Sequence, residues 1–229
     1  MKALPGSRSP LLALFRLAAI LLVTGLGGLF AIAAPAADDR DNDQEVARLQ
    51  HRWAEIRYEL PEAQQAKALA ELGDEAERQL AKHPDAAELL IWAGIVRSSQ
   101  AGAEGGLGAL GLVKQARGYL EAALARNPLA LNGSAYTSLG ALYYQVPGWP
   151  LGFGDDDKAE WHLKRALTLN PSGLDSLYFW GDYLHQQGRD GEARQALEKA
   201  LQAPPRPGRE LADAGRREEI HRLLSQLEK

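Results

Sequence analysis

The 229-residue chain carries 26 Lys and Arg against 30 Asp and Glu, and no cysteine. A formal charge of -4 without an obvious basic face disfavours nucleic acid, whose binding draws on counterion release at a basic surface. The missing cysteine excludes disulfides, thiolate metal sites, cysteine nucleophiles and a cysteine-borne lipid anchor.

Lys2, Arg8 and Arg16 precede an apolar run over residues 17–37 that ends in small residues. This layout predicts a secretory signal peptide over residues 1–36, with Ala34-Pro35-Ala36 as a small-x-small cleavage site. The run is also about long enough to span a bilayer, so an uncleaved anchor facing the periplasm is the alternative, and the only expected membrane contact. Removing the leader, which holds three basic residues and no acid, brings the formal charge to -7. Residues 37–43 read Ala-Asp-Asp-Arg-Asp-Asn-Asp and are expected to form an acidic disordered tether before a helical domain over residues 44–229.

Val46, Leu49, Trp53, Ile56 and Leu60 recur at spacings of 3, 4, 3 and 4, the mark of an amphipathic helix. Pro61 opens a second helix through Leu69, Leu72 and Leu80, giving a first hairpin over residues 44–84. Three further hairpins follow over residues 87–128, 133–171 and 174–205. Their first halves carry Leu90, Ala93, Gly94 and Arg97, then Tyr136, Leu139, Gly140 and Tyr143, then Leu177, Trp180, Gly181 and Leu184, with Gly188 in the last turn. Their second halves hold 116/120/123/128, 159/163/166/171 and 193/197/200/205, small-Leu-Ala-Pro in each case at offsets of 4, 7 and 12. An alanine-seamed four-helix bundle has no reason to keep that shared register. A last helix over residues 212–228 places Ile220, Leu223, Leu224 and Leu227 on one face, as a cap on the open end of a stack requires.

The register resembles the tetratricopeptide repeat (TPR), a helical hairpin of about 34 residues with the pattern W-x2-L-G-x2-Y…A-x3-F…P. The implied fold is all-α: a TPR-like α-solenoid of about four helical hairpins plus a C-terminal capping helix. The closing prolines Pro84, Pro128, Pro171 and Pro205 stand 44, 43 and 34 residues apart, so the two middle repeats are long. The extra residues are expected in loops within those repeats, at 100–113 and 146–157, lining one rim of the stack. In the second loop two prolines and three glycines predict a shaped path, and one of Asp155, Asp156 and Asp157 is expected to cap the next helix. Two roles are open to Trp149, Leu151 and Phe153: plugging the edge of the stack or forming a binding lip. The aspartates lack the ligand spacing and later glutamate of a calcium loop.

In TPR proteins a second stripe on each first helix faces an inner groove. Here it comprises Glu88, Ile91, Ile95 and Ser98, then Ser134, Thr137, Ala141 and Tyr144, then Asp175, Tyr178, Asp182 and His185. Ser134, Thr137, Tyr144, Asp175, Tyr178, Asp182 and His185 are the candidate partner-binding residues, and aromatics beside acids suit a basic or hydroxyl-bearing partner. The five histidines are scattered, no HExxH or GxSxG occurs, and no Gly-Lys-Ser/Thr follows Gly105-Gly106-Leu107-Gly108. No catalytic residue, metal site or cofactor is therefore expected.

The runs at residues 106–114, 133–136 and 146–156 are similar to exported bacterial TPR proteins of the kind associated with tripartite (TRAP) transporters. That resemblance implies a periplasmic scaffold or adaptor whose partner is a cell-envelope protein such as a transporter component or solute-binding protein. The alternative is a carrier of a small apolar ligand, held between the Gly-rich stretch and Trp149 and Phe153.

Overall fold

The computed structural model of the chain describes residues 37–228 apart from Leu107. The expected leader, residues 1–36, lies outside the described residues. The described chain is nine α-helices: α1 (Ala37–Tyr58), α2 (Glu62–Lys82), α3 (Ala87–Glu104), α4 (Ala109–Arg126), α5 (Ser134–Gln145), α6 (Asp156–Leu169), α7 (Leu174–Gln186), α8 (Asp190–Leu201) and α9 (Glu210–Gln226). Consecutive helices pack as hairpins, and α1, α3, α5 and α7 also stack on one another. The result is an all-α, solenoid-like stack of four hairpins with α9 capping the last. None of the described helices is long and apolar enough to cross a membrane.

One contact repeats through three hairpins and explains their shared spacing. A Cβ placed on Gly94, Gly140 or Gly181 would lie 2.7, 2.6 or 2.7 Å from Cγ of Leu120, Leu163 or Leu197. Each glycine therefore seats the leucine of its own partner helix, and the alanines on either side of that leucine are buried. Only a residue without a side chain allows this approach at native packing density. Gly188, with φ 70°, makes the tight turn between α7 and α8.

Three expectations need correction. The acidic stretch at 37–43 is not a tether: α1 continues back to Ala37. The extra length of the second repeat goes into helix, because α3 and α4 each run 18 residues, ending at Glu104 and starting at Ala109. Gly102 and Gly111, which suggested a loop, sit within those helices with open space around them, and an isolated glycine weakens a helix without ending it. Finally, α9 is more than a cap. It also meets α1, where Gly215 lies against the Tyr58 ring and Arg57 Nη2 is 3.9 Å from Glu219 Oε1. The concave side of the stack is thereby spanned by α9 from its last hairpin to its first.

The third repeat does hold a shaped loop. Asp155 caps α6 by accepting from the Lys158 amide at 3.0 Å, with Asp156 and Asp157 in the first turn. The amides of Gly154 and Asp155 donate to the carbonyls of Pro147 (3.0 Å) and Tyr143 (2.8 Å). A Cβ on Gly154 would overlap the Val146 carbonyl, and one on Gly152 the Pro147 carbonyl, so the chain closes on itself only with glycine at both places.

Candidate binding cavity

Because α9 spans the concave face, the groove expected of an open stack becomes a cavity of about 890 Å³. Its wall on the repeat side is small and weakly polar: Ile95 and Ser98 from α3, Ser134, Thr137 and Ala141 from α5, and Asp175 and Tyr178 from α7. These are members of the inner stripe read from the sequence. The turn before α5 adds Leu131 and Asn132, adjacent non-glycine residues with φ 46° and 55°. Left-handed backbone at such residues costs about 1–3 kcal/mol each and is found clustered at ligand clamps.

The opposite wall is built from the two ends of the fold. Trp53 and Arg57 come from α1, and Arg206, Arg209, Arg216 and Glu219 from the segment that closes the stack. Trp53 and Trp92 meet edge to face with centroids 5.9 Å apart, and Trp53 Nε1 donates to Ser99 Oγ at 2.8 Å. The Arg216 guanidinium lies over Tyr178 (4.3 Å) and Phe179 (4.8 Å), fixing both rings at the cavity edge.

Asp175 ties the two walls together electrostatically. Its Oδ2 accepts from Arg206 Nη1 at 2.7 Å and its Oδ1 from Arg216 Nε at 2.8 Å. Burial alone would raise its pKa, but the two guanidiniums outweigh it and hold the carboxyl well below the usual carboxylate range. About a third of the Asp175 side chain stays open, facing the cavity that it lines. Arg206 also binds Asp213 (Nε to Oδ1, 2.7 Å), and Arg216 binds Glu219 (Nη1 to Oε2, 2.5 Å).

The other candidate residues lie elsewhere. Tyr144 is buried and donates to Asp182 Oδ2 at 2.6 Å; burial and that carboxylate hold its hydroxyl well above the usual tyrosine range. His185 Nδ1 is 2.7 Å from Asp190 Oδ1 across the α7–α8 turn, and neither His185, Asp182 nor Tyr144 lines the cavity. Ile91 and Glu88 do not line it either, Ile91 being fully buried in the core. A basic partner would need free acids in the groove, yet Asp175 is held by two arginines and Asp182 accepts from Tyr144.

The loop residues part company. Phe153 packs edge to face on Tyr143 (5.7 Å) under the Arg117 guanidinium (4.4 Å), so it closes the edge of the stack. Leu151 reaches the cavity mouth with Val146 and Pro147. Trp149 projects from the loop, 90% exposed. From the Gly-rich stretch, Gly102 at the end of α3, Gly106 in the turn, and Ala109 and Leu110 at the start of α4 line the cavity, whereas Trp149 and Phe153 do not.

Sequence reasoning missed the arginine wall. Residues 206–209, Arg-Pro-Gly-Arg, fall between the last hairpin and the last helix, and α9 reads as a helix with one apolar face. A signal was present: Asp213, Arg216, Ile220 and Leu223 follow one another at spacings of 3, 4 and 3, and all four are buried. The stripe that continues an apolar face into an acid and an arginine marks an inward-facing ion pair. Compared with known proteins, the chain matches no family model and no curated protein.

Proposed function

We propose that the protein is a non-catalytic binding protein that holds a small, largely apolar molecule between the repeat stack and α9. The cavity carries this reading: about 890 Å³ lies within the range of small-molecule sites, and its lining sets aromatic and aliphatic side chains beside convergent charged and hydroxyl groups. The ligand position moves from the Trp149–Phe153 loop to the space bounded by Trp53, Trp92, Thr137 and Tyr178. The leader pattern supports an exported, periplasmic setting, and the resemblance to TRAP-associated TPR proteins supports a place beside a transport system.

Native mass spectrometry of the full chain, gently purified from its own cell envelope, is the test. A discrete added mass is expected in wild type and not in Ser138→Trp, whose indole would fill the cavity from α5. Apo mass alone in both proteins would overturn the carrier reading.

A second reading, an adaptor for another envelope protein, is favoured by one observation. Trp149 stands almost fully exposed on a loop whose backbone is fixed by internal hydrogen bonds, as a preformed interface anchor would. A solute-binding protein is the partner that the resemblance suggests. Loss of one captured protein on Trp149→Ala, with the cavity ligand retained, would favour the adaptor.

A further inference from the structure

The charges around the cavity do not balance. Arg57, Arg206, Arg209 and Arg216 line it against Asp175 and Glu219, and Asp213 stands behind Arg206 as a third acid. Arg206 and Arg216 share Asp175 and take Asp213 and Glu219 as further partners, while Arg57 approaches Glu219 from α1. One cation is left over, and it is Arg209. Among the described residues its side chain forms no ion pair and no hydrogen bond, feeling Asp175 and Asp213 only at longer range, and its Nε is enclosed without a partner.

Arg209 is nevertheless held in place. Its Cζ lies 5.2 Å from the centroid of Trp92, so the ring takes the face of the guanidinium and leaves its N–H donors unused. Trp92 Nε1 is a second enclosed donor without an acceptor in the same neighbourhood. A guanidinium stays charged in proteins; burial, and then Arg206, work against that charge at Arg209, while Asp175 and Asp213 favour it. A partly buried cation without an acceptor is costly unless something anionic answers it. The same cavity presents apolar surface from Trp53, Trp92, Ile95, Leu110, Val113 and Phe179.

We propose that Arg209 anchors the anionic head group of a monoanionic, otherwise apolar ligand, a carboxylate being the simplest, whose body lies against Trp92 and the apolar wall. This deepens the carrier reading and rests on it. The planar fork of arginine suits two-oxygen acceptors, and a single excess charge suits one anion.

The test is calorimetric titration of the purified full chain with straight-chain carboxylates of graded length, each beside the alcohol and the amine of the same length. The expected result is a carboxylate bound at least about tenfold more tightly than its alcohol, the effect of one charge-assisted contact. Arg209→Gln should erase that preference, and Arg209→Lys should keep part of it. Equal binding of alcohol and carboxylate by wild type would overturn the anion site and leave the cavity reading standing. A preference that survives in a folded Arg209→Gln would overturn the role of Arg209. Saturable binding by no member of the series would overturn both readings. The wild-type head-group comparison holds even if a variant does not fold.

Discussion

Two arginines on opposite sides of α3 show how the same side chain is used in two ways. Arg97 faces α2. Its guanidinium reaches Glu77 (2.8 Å), Asp74 (2.7 Å), Gln100 (2.8 Å) and the Ala70 carbonyl (3.3 Å), and it lies on Gly73, where any Cβ would overlap it. Every direction in which it can donate is met by protein. Arg209 meets α3 at the Trp92 ring, and no acceptor meets it. The first arrangement closes a helix boundary, and the second leaves a charged group for something outside the chain to complete. The difference can be measured, because a structural arginine and a ligand-binding arginine respond oppositely to removal.

The largest effect is expected at Arg216, on the same wall as Arg209 but fully paired. Arg216→Met leaves Asp175 with one partner and Glu219 without its nearest one, and breaking a buried ion pair this way costs about 3 kcal/mol. Urea unfolding should show a loss of that size. A loss below about 1 kcal/mol would mean that the arginine wall is not a structural network, and the contrast with Arg209 would fall.

Arg97→Met should cost less, about 1–2 kcal/mol, because Asp74 and Glu77 keep enough exposure to be rehydrated when the guanidinium leaves. Ligand binding should not change, as Arg97 does not line the cavity. A change in the mass carried by the native protein would show that the two sides of α3 are coupled.

His162 supplies a control for the idea that an unanswered buried group marks a site. Its Nδ1 is enclosed without a partner, like Arg209 Nε, but the ring is stacked on Tyr143 (5.4 Å) and meets Trp161 edge-on (4.8 Å) in solid packing. Burial, and then Lys158, lower its pKa to about 4. The neutral form is the one that fits, so its contribution is complete above the unfolded value near 6.5 and is lost as pH falls through about 4. Those values imply about 2.5 kcal/mol between pH 7.5 and 4.5, and solvent around the half-buried ring screens this to roughly 1 kcal/mol by which wild type should lose more than His162→Phe, about 2–4 °C in melting temperature. Equal losses would show that His162 charges without penalty where it stands.

The repeat stack was legible because its cause is periodic. A glycine, a leucine and two alanines recur at fixed offsets wherever one helix must seat the leucine of the next, and the same offsets gave the inner stripe that supplies Ser134, Thr137, Asp175 and Tyr178 to the cavity. What could not be read was how the stack is spanned. The meeting of α9 with α1 joins residues about 160 positions apart, through Gly215 against Tyr58 and Glu219 near Arg57, and no local period encodes such a contact. Tyr144, Asp182 and His185 lie off the cavity for a related reason. Helical spacing puts them on the stripe, but near the C-terminal ends of α5 and α7 neighbouring side chains claim them before the cavity does.

The smallest expected effect discriminates most finely. Removing the charge in Arg209→Gln gives up a cation–aromatic contact with Trp92, worth about 0.5–2 kcal/mol when desolvated. It also relieves a partly buried guanidinium that meets no acceptor and sits beside Arg206, a cost of about 1–3 kcal/mol. The two nearly cancel, so unfolding in urea without ligand should shift by less than about 0.5 kcal/mol or move slightly toward greater stability. With a bound carboxylate the balance changes: wild type should gain stability with ligand concentration, and the variant should gain less. A loss of 1 kcal/mol or more in the unliganded variant would make Arg209 a structural residue like Arg97. The unmet donors at Trp92 and Arg209 would then be a defect of packing and not the mark of a site.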